Sequence, residues 1–294
     1  RKVRVLINPK SGFGWSFSAV QRVLQDVWDR DGYDLAYQYS TSAEDGRAKV
    51  RRAVADGVDT VLVVGGDGMV NTIGSELIGT DTALGVIPAG SGNGFARHFD
   101  IPLHPESAVR ALMHAERRQI DVGRANGRPF LVTCSAAWDA AVVRTFEKFP
   151  VRGILPYVLA GVYEWIDYRS RSFRVHVDGE ELQIEDAVVF TAANLTQFGG
   201  GLRIAPNAKA DDGLLELVVI RRKDAPGVLA NIYRLFDNTA DRLTGLYTRS
   251  FRKMDIERQA SGPMQLDGEL IDAPATITID LVPRALTVLV PSDT

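Results

Sequence analysis

The sequence predicts an α/β domain with a parallel sheet, followed by a mostly antiparallel β-sandwich domain, with the site expected in the cleft between them. Three observations predict it. Thr60-Val-Leu-Val-Val-Gly-Gly-Asp-Gly68 and Ala83-Leu-Gly-Val-Ile-Pro-Ala-Gly-Ser-Gly-Asn93 each run a short, continuous apolar stretch into glycines and then a helix-compatible segment, as buried parallel strands do. From Gln119 onward the texture changes to short strands separated by turn signals, which suits antiparallel pairing. A chain of 294 residues also exceeds the usual size of one domain. The boundary is placed near Arg118, giving residues 1–118 and 119–294.

The elements follow in order. Val3-Arg-Val-Leu-Ile7 reads as a first strand entering a polar loop that holds Asn8, Lys10, Ser11 and Gly12. A helical pattern then runs from about Trp15 to Asp31. Leu35-Ala-Tyr-Gln-Tyr39 is a second strand, and Ser40-Thr41-Ser42-Ala-Glu-Asp45 opens a helix through hydroxyl-then-carboxylate capping. Capping and ligand contact compete for Thr41. The strands Val61–Val64 and Leu84–Ile87 complete a β-α-β-α order, so the loops after successive strands share one edge. Asn8, Thr41, Asp67 and Ser91 can then meet one ligand.

Glycines at strand ends let backbone N–H groups approach an anion, so the expected guest carries phosphate. Asp67 refines this. A carboxylate in a phosphate cradle repels its ligand unless it sits behind a magnesium ion or accepts a proton from an attacking hydroxyl. Either role means phosphoryl transfer. Gly65-Gly66-Asp67-Gly68 alone could be a tight turn, but Gly90-Ser91-Gly92-Asn93 adds a second donor-rich loop. No Walker loop is present, and Phe95 stands where a dinucleotide fingerprint has its third glycine.

Gly65-Gly66-Asp67-Gly68 with Asn71, then Pro88-Ala-Gly-Ser-Gly-Asn93 and Ala96-Arg97, resemble the catalytic domain of diacylglycerol kinases and their sphingosine-kinase and ceramide-kinase relatives, the bacterial soluble lipid kinases above all. Met69 stands where the family usually has threonine, and Gly94 where many diacylglycerol kinases have aspartate. The resemblance implies ATP and Mg2+ as cofactors and a long-chain lipid hydroxyl as acceptor. Diacylglycerol is the default, with a sphingoid base, ceramide or NAD as alternatives and a non-catalytic nucleotide or lipid sensor as the rival class. Asn8, Lys10, Ser11, Gly12, Thr41, Gly65, Gly66, Gly68, Asn71, Ser91, Gly92, Asn93 and Arg97 are expected around the nucleotide, with Asp67 as magnesium ligand or base.

In the second domain, Asn126-Gly127 and Asp178-Gly179 are turn signals. Helical interruptions are expected at about Asp139–Arg169 and Ala225–Leu243. The first, with Trp165, packs as core or borders an acyl pocket, and the resemblance puts Asp139 and Arg152 near the cleft. Asp211-Asp212-Gly213 reads as a turn, and the resemblance adds a structural magnesium there. Asp267-Gly268-Glu269 is by its residues another turn, the same tripeptide as Asp178-Gly179-Glu180. Only the resemblance makes Asp267 and Glu269 catalytic and places Gly268 beside the nucleotide.

Composition bounds the rest. A chain 45% hydrophobic and 24% charged can form a sizeable core. A net charge of -3 argues against a general nucleic-acid binder. Cys134 is the single cysteine, which forbids an internal disulfide and suits a reducing compartment. His98, His104, His114 and His176 are too scattered for a metal cluster. No apolar run reaches spanning length, so a cytoplasmic protein touching the membrane peripherally is expected. A homodimer is compatible with this reading.

Overall fold

The computed structural model describes residues 1–9, 17–28, 32–137, 171–237 and 239–292. The chain divides into two compact units, Arg1–Ile120 with Arg284–Thr294, and Asp121–Pro283.

The first unit alternates strand and helix: β1 (Lys2–Ile7), α1 (Phe17–Val27), β2 (Asp34–Tyr39), α2 (Ala43–Ala55), β3 (Thr60–Gly65), α3 (Asp67–Ser75), β4 (Ala83–Pro88), α4 (Gly94–His98) and α5 (Pro105–Met113). Its strands lie in the order β4-β3-β1-β2, all parallel. β3 and β4 are buried along their whole length, which is why they read as unbroken apolar runs. β2, at the edge, has no fully buried residue. Ser42 caps α2 by accepting the Asp45 N–H at 3.1 Å, the bond its hydroxyl-carboxylate pattern calls for. The Trp28 indole N–H donates to the Val109 carbonyl at 3.0 Å, linking the chain after α1 to α5.

Three backbone bonds extend the sheet just past its strands. Ser40 N–H donates to Ile7, Asn8 N–H to Val64, and Ala89 N–H to Gly65, at 2.8, 3.2 and 2.9 Å. The four loops therefore leave from one edge. The division at 118 does not anticipate the C-terminus. The last strand, β17 (Thr276–Val290), sets Val288 parallel to Leu84 of β4, and Ala285 accepts the Gly79 N–H at 2.8 Å. Residues 284–294 thus belong with the first unit and not with 119–283, because their apolar alternation finishes the parallel sheet.

The remaining strands are β5 (Glu116–Ala125), β6 (Arg128–Phe130), β7 (Thr133–Ser135), β8 (Arg171–Val177), β9 (Glu180–Ala193), β10 (Gln197–Gly199), β11 (Leu202–Arg203), β12 (Leu215–Arg221), β13 (Leu246–Phe251), β14 (Lys253–Glu257), β15 (Gly262–Leu266) and β16 (Glu269–Ala273). In the second unit the order β16-β15-β7-β9-β8-β14-β17 is antiparallel throughout. β12 joins β9 and β13, also antiparallel. Alternate residues of β12 feed two cores. Leu215, Leu217 and Val219 face a cluster with Phe173, Phe190 and Phe251, while Val218 and Ile220 face one with Val228, Leu235 and Leu243. A sheet covered on both faces follows from this period of two.

Asn126-Gly127, Asp178-Gly179 and Asp267-Gly268 all have positive φ at both residues, the conformation a two-residue hairpin needs. The interruption predicted at 225–243 is a short helix, α6 (Ala225–Ala230), and two single 3-10 turns, Ile232–Leu235 and Ala240–Arg242. The one predicted at 139–169, with Asp139, Arg152 and Trp165, lies outside the described residues. So do Lys10, Ser11 and Gly12.

Candidate active site

The two glycine loops of the first unit pack backbone against backbone. A Cβ added at Gly90 would stand 2.6 Å from the Gly66 Cα, and one added at Gly66 would stand 3.1 Å from the Gly90 Cα. The approach requires glycine at 90, and a side chain at 66 would push the loops apart by a few tenths of an ångström. Met69 lies over Gly65, whose added Cβ would fall 2.8 Å from the Met69 sulfur.

Asp67 joins the loops chemically. It is the first residue of α3, and its carboxylate accepts the Gly94 N–H on Oδ2 at 3.0 Å and the Phe95 N–H on Oδ1 at 3.1 Å. These N–H groups open α4 and lack intrahelical acceptors, so a carboxylate there is favourable. Because the bonds use main-chain donors, Gly94 serves as well as any other residue. Burial pushes the Asp67 carboxyl above the ordinary carboxylate range, opposed by the N–H groups of Gly94, Phe95, Asp67 itself and Asn93.

The second loop is fixed from within. Asn93 adopts a left-handed φ of 50°, accepts the Gly90 N–H at 2.9 Å and donates its own amide back to the Gly90 carbonyl at 2.8 Å. Arg97 donates from Nε to the Gly92 carbonyl at 3.1 Å. The Asn93 amide and Arg97 Nε, predicted near the nucleotide, thus shape the loop. The N–H groups of Ser91 and Gly92 bond no acceptor among the described residues, and Ser91 is exposed. Donors without acceptors on a rigid, glycine-lined turn suit an oxyanion.

Of the other predicted nucleotide residues, half-buried Asn8 lies at the same sheet edge, beside β3. Thr41 gives both its N–H and its hydroxyl to Asp45, at 2.9 and 3.1 Å, beside the cap that Ser42 supplies. Asn71 lies on α3, where the Ser75 hydroxyl donates to its Oδ1 at 3.5 Å.

In the second unit, Asp267 is only 6% exposed and accepts three N–H groups: Leu131 at 2.6 Å, Val132 at 2.8 Å and Thr133 at 2.8 Å. The Gly268 N–H goes to Gln265 at 2.7 Å, and Glu269 is exposed on β16. Asp178, in the twin tripeptide, is exposed and accepts the N–H groups of Arg252 and Lys253 at 3.1 and 2.9 Å. Both aspartates therefore staple a hairpin turn to a neighbouring backbone.

Sequence reading missed Asp121. It is fully buried, its carboxylate accepts the Gly213 N–H at 2.7 Å, and its carbonyl accepts the Asn194 amide at 2.9 Å. An acid between Ile120 and Val122 in a strand is the signal that could have found it. Asp211 and Asp212 are exposed, and Asp212 accepts the Leu214 N–H at 3.1 Å. Among the described residues no group of three or more His, Cys, Asp and Glu is placed to hold a metal. On its side chains the Asp211-Asp212 turn offers two exposed carboxylates, one of them bonded to the Leu214 N–H. Asp67 fits a nucleotide-borne magnesium, since a carboxylate has about four lone-pair sites and magnesium on a nucleotide takes one or two carboxylates.

Residues 2–125 match the model of the diacylglycerol kinase catalytic domain, and residues 132–290 match the YegS C-terminal NAD kinase beta sandwich-like domain. These two matches define a nucleotide-using lipid kinase. The chain belongs to the bacterial diacylglycerol kinase/YegS family. It is 32% identical over 297 residues to the diacylglycerol kinase of Mycobacterium tuberculosis strain CDC 1551, covering 99% of this chain and 95% of that one. It is 27% identical over 286 residues to the diacylglycerol kinase of Bacillus subtilis strain 168, covering 92% and 90%. A crystal structure of a diacylglycerol kinase from Bacillus anthracis str. Sterne superposes with a TM-score of 0.76 at 21% identity, covering 98% of this chain and 96% of that chain, a likeness of fold.

Proposed function

We propose that this protein transfers the γ-phosphoryl group of ATP to a hydroxyl of diacylglycerol. The observation that carries the choice of lipid is the 32% identity, over nearly the whole chain, to a protein named diacylglycerol kinase. The choice of phosphoryl transfer is supported independently by the paired glycine loops and the acid that braces them.

In this reading the N–H groups of Ser91 and Gly92 receive phosphate oxygens, and Asn8 lines the same edge. The lipid hydroxyl oxygen attacks the γ-phosphorus, the bond to the ADP oxygen breaks, and the hydroxyl proton passes to a carboxylate. Asp67 is the acid that the loops supply. Its backbone bonds fix its direction, and a carboxyl raised by burial is suited to taking up a proton. In its alternative role Asp67 would instead hold a magnesium ion, which would neutralise charge on the phosphates. Glu269 offers an exposed carboxylate, whereas Asp267 acts through the 131–133 backbone it holds.

Labelled ATP offered with diacylglycerol, sphingosine, ceramide or NAD tests the proposal. Label is expected in phosphatidic acid. Transfer to NAD alone, a reading the name of the second matched domain keeps in play, would replace it. No ATP consumption with any acceptor would favour a sensor.

A further inference from the structure

The segment after β12 has two apolar stripes, and the sheet uses one of them. Ala225, Val228 and Leu235 are buried, with Ile232 packed beside them, against Val218 and Ile220. Leu229 on α6, Tyr233 in the 3-10 turn that follows and Phe236 just after that turn stand 46%, 53% and 44% exposed. Three large apolar residues exposed within eight positions of the chain are unfavourable in water, and such concentrations mark interaction sites.

The surroundings are basic. Arg221, Arg222 and Lys223 are exposed immediately before α6, and the Arg234 guanidinium lies 5.3 Å from the centroid of the Tyr233 ring. Residues 221–237 carry four basic and two acidic side chains, in a chain whose net charge is -3. Exposed aromatic and aliphatic side chains in the same short segment as exposed Arg and Lys match an anionic bilayer surface, where the rings enter the interface and the cations stay at the headgroups.

We infer that the Leu229-Tyr233-Phe236 face, with Arg221, Arg222, Lys223 and Arg234 around it, docks the protein onto anionic phospholipid membranes. The choice of a membrane rests on the lipid-kinase reading, since such an enzyme meets its acceptor in a bilayer. Arg234 stacked on Tyr233 keeps its charge at the level of the ring, so the two enter the interface together.

The test is co-sedimentation of the intact protein, without nucleotide, with vesicles of phosphatidylglycerol and phosphatidylcholine or of phosphatidylcholine alone. The wild type is expected to sediment with the anionic vesicles and to be released by salt. A Leu229→Ser/Tyr233→Ser/Phe236→Ser triple variant, altered only at exposed positions, is expected to bind them about tenfold or more weakly. An Arg221→Gln/Arg222→Gln/Lys223→Gln variant is expected to lose the salt-sensitive part of binding. Phosphorylation of detergent-dispersed short-chain diacylglycerol should be unchanged in the apolar triple variant. Wild-type binding by that variant, or no binding by the wild type, overturns the inference. So does a wild-type oligomer in sedimentation velocity that the apolar triple variant converts to monomer, since a second copy would then cover the face. Absence of lipid kinase activity with vesicle binding intact would sink the proposed reaction and leave the docking face standing.

Discussion

Asp67 in the first unit and Asp267 in the second are held by the same device, a carboxylate accepting main-chain N–H groups from a neighbouring loop. Their settings differ. Asp267 takes three short bonds and is nearly sealed from water, so its carboxylate is spent on fixing the 131–133 turn. Asp67 takes bonds of 3.0 and 3.1 Å from Gly94 and Phe95, and the loop it braces keeps the Ser91 and Gly92 donors open. A motif aspartate is therefore judged by what the loop it anchors still offers to a ligand. Asp178 marks the other limit, the same hairpin device on an exposed turn.

The largest expected effect is on Asp67. Asp67→Asn replaces one acceptor with a donor facing the α4 N–H groups and removes the proton acceptor, so kcat for lipid phosphorylation should fall by about a hundredfold or more. The pH dependence of stability should change as well. A carboxyl raised in the folded state contributes stability that is present below its unfolded value and lost as pH rises through its folded value. The Asn variant lacks this titration, so its melting temperature relative to the wild type should fall as pH falls toward the ordinary aspartate range, as scanning calorimetry at several pH values would read.

Gly90→Ala comes next. The added Cβ meets Gly66 backbone at 2.6 Å, so the loops must separate, at about 1–3 kcal/mol of stability and with a raised KM for ATP. A variant with unchanged KM and melting temperature would show that the close approach is dispensable.

The Asp267→Ala and Asp178→Ala pair sharpens the comparison further. Removing Asp267 strands buried N–H groups and should cost about 3 kcal/mol in denaturant unfolding. Removing exposed Asp178, whose N–H partners water can solvate, should cost about 1 kcal/mol, mostly from placing Ala at a left-handed φ. Equal losses would mean that burial does not separate the two turns.

Much of this was legible in the sequence. The apolar runs 61–64 and 84–87 are buried strands, and three Xaa-Gly pairs are hairpin turns because Asn, Asp and Gly tolerate positive φ. What stayed hidden depends on contacts between distant residues. Nothing local tells that Gly66 meets Gly90, that Asn93 turns inward on Gly90, or that residues 284–294 finish the first sheet. The two Asp-Gly-Glu copies read identically, and their different burial is set by what the fold lays over them.

The central claim is that the Gly65–Gly68 and Gly90–Asn93 loops cradle nucleotide phosphate. Titrating the labelled protein with magnesium ATP and following its backbone amide resonances tests this most directly. Shifts concentrated at Gly66, Gly68, Ser91 and Gly92 are expected. Saturable ATP binding that leaves those four amides in place and moves others would contradict the account.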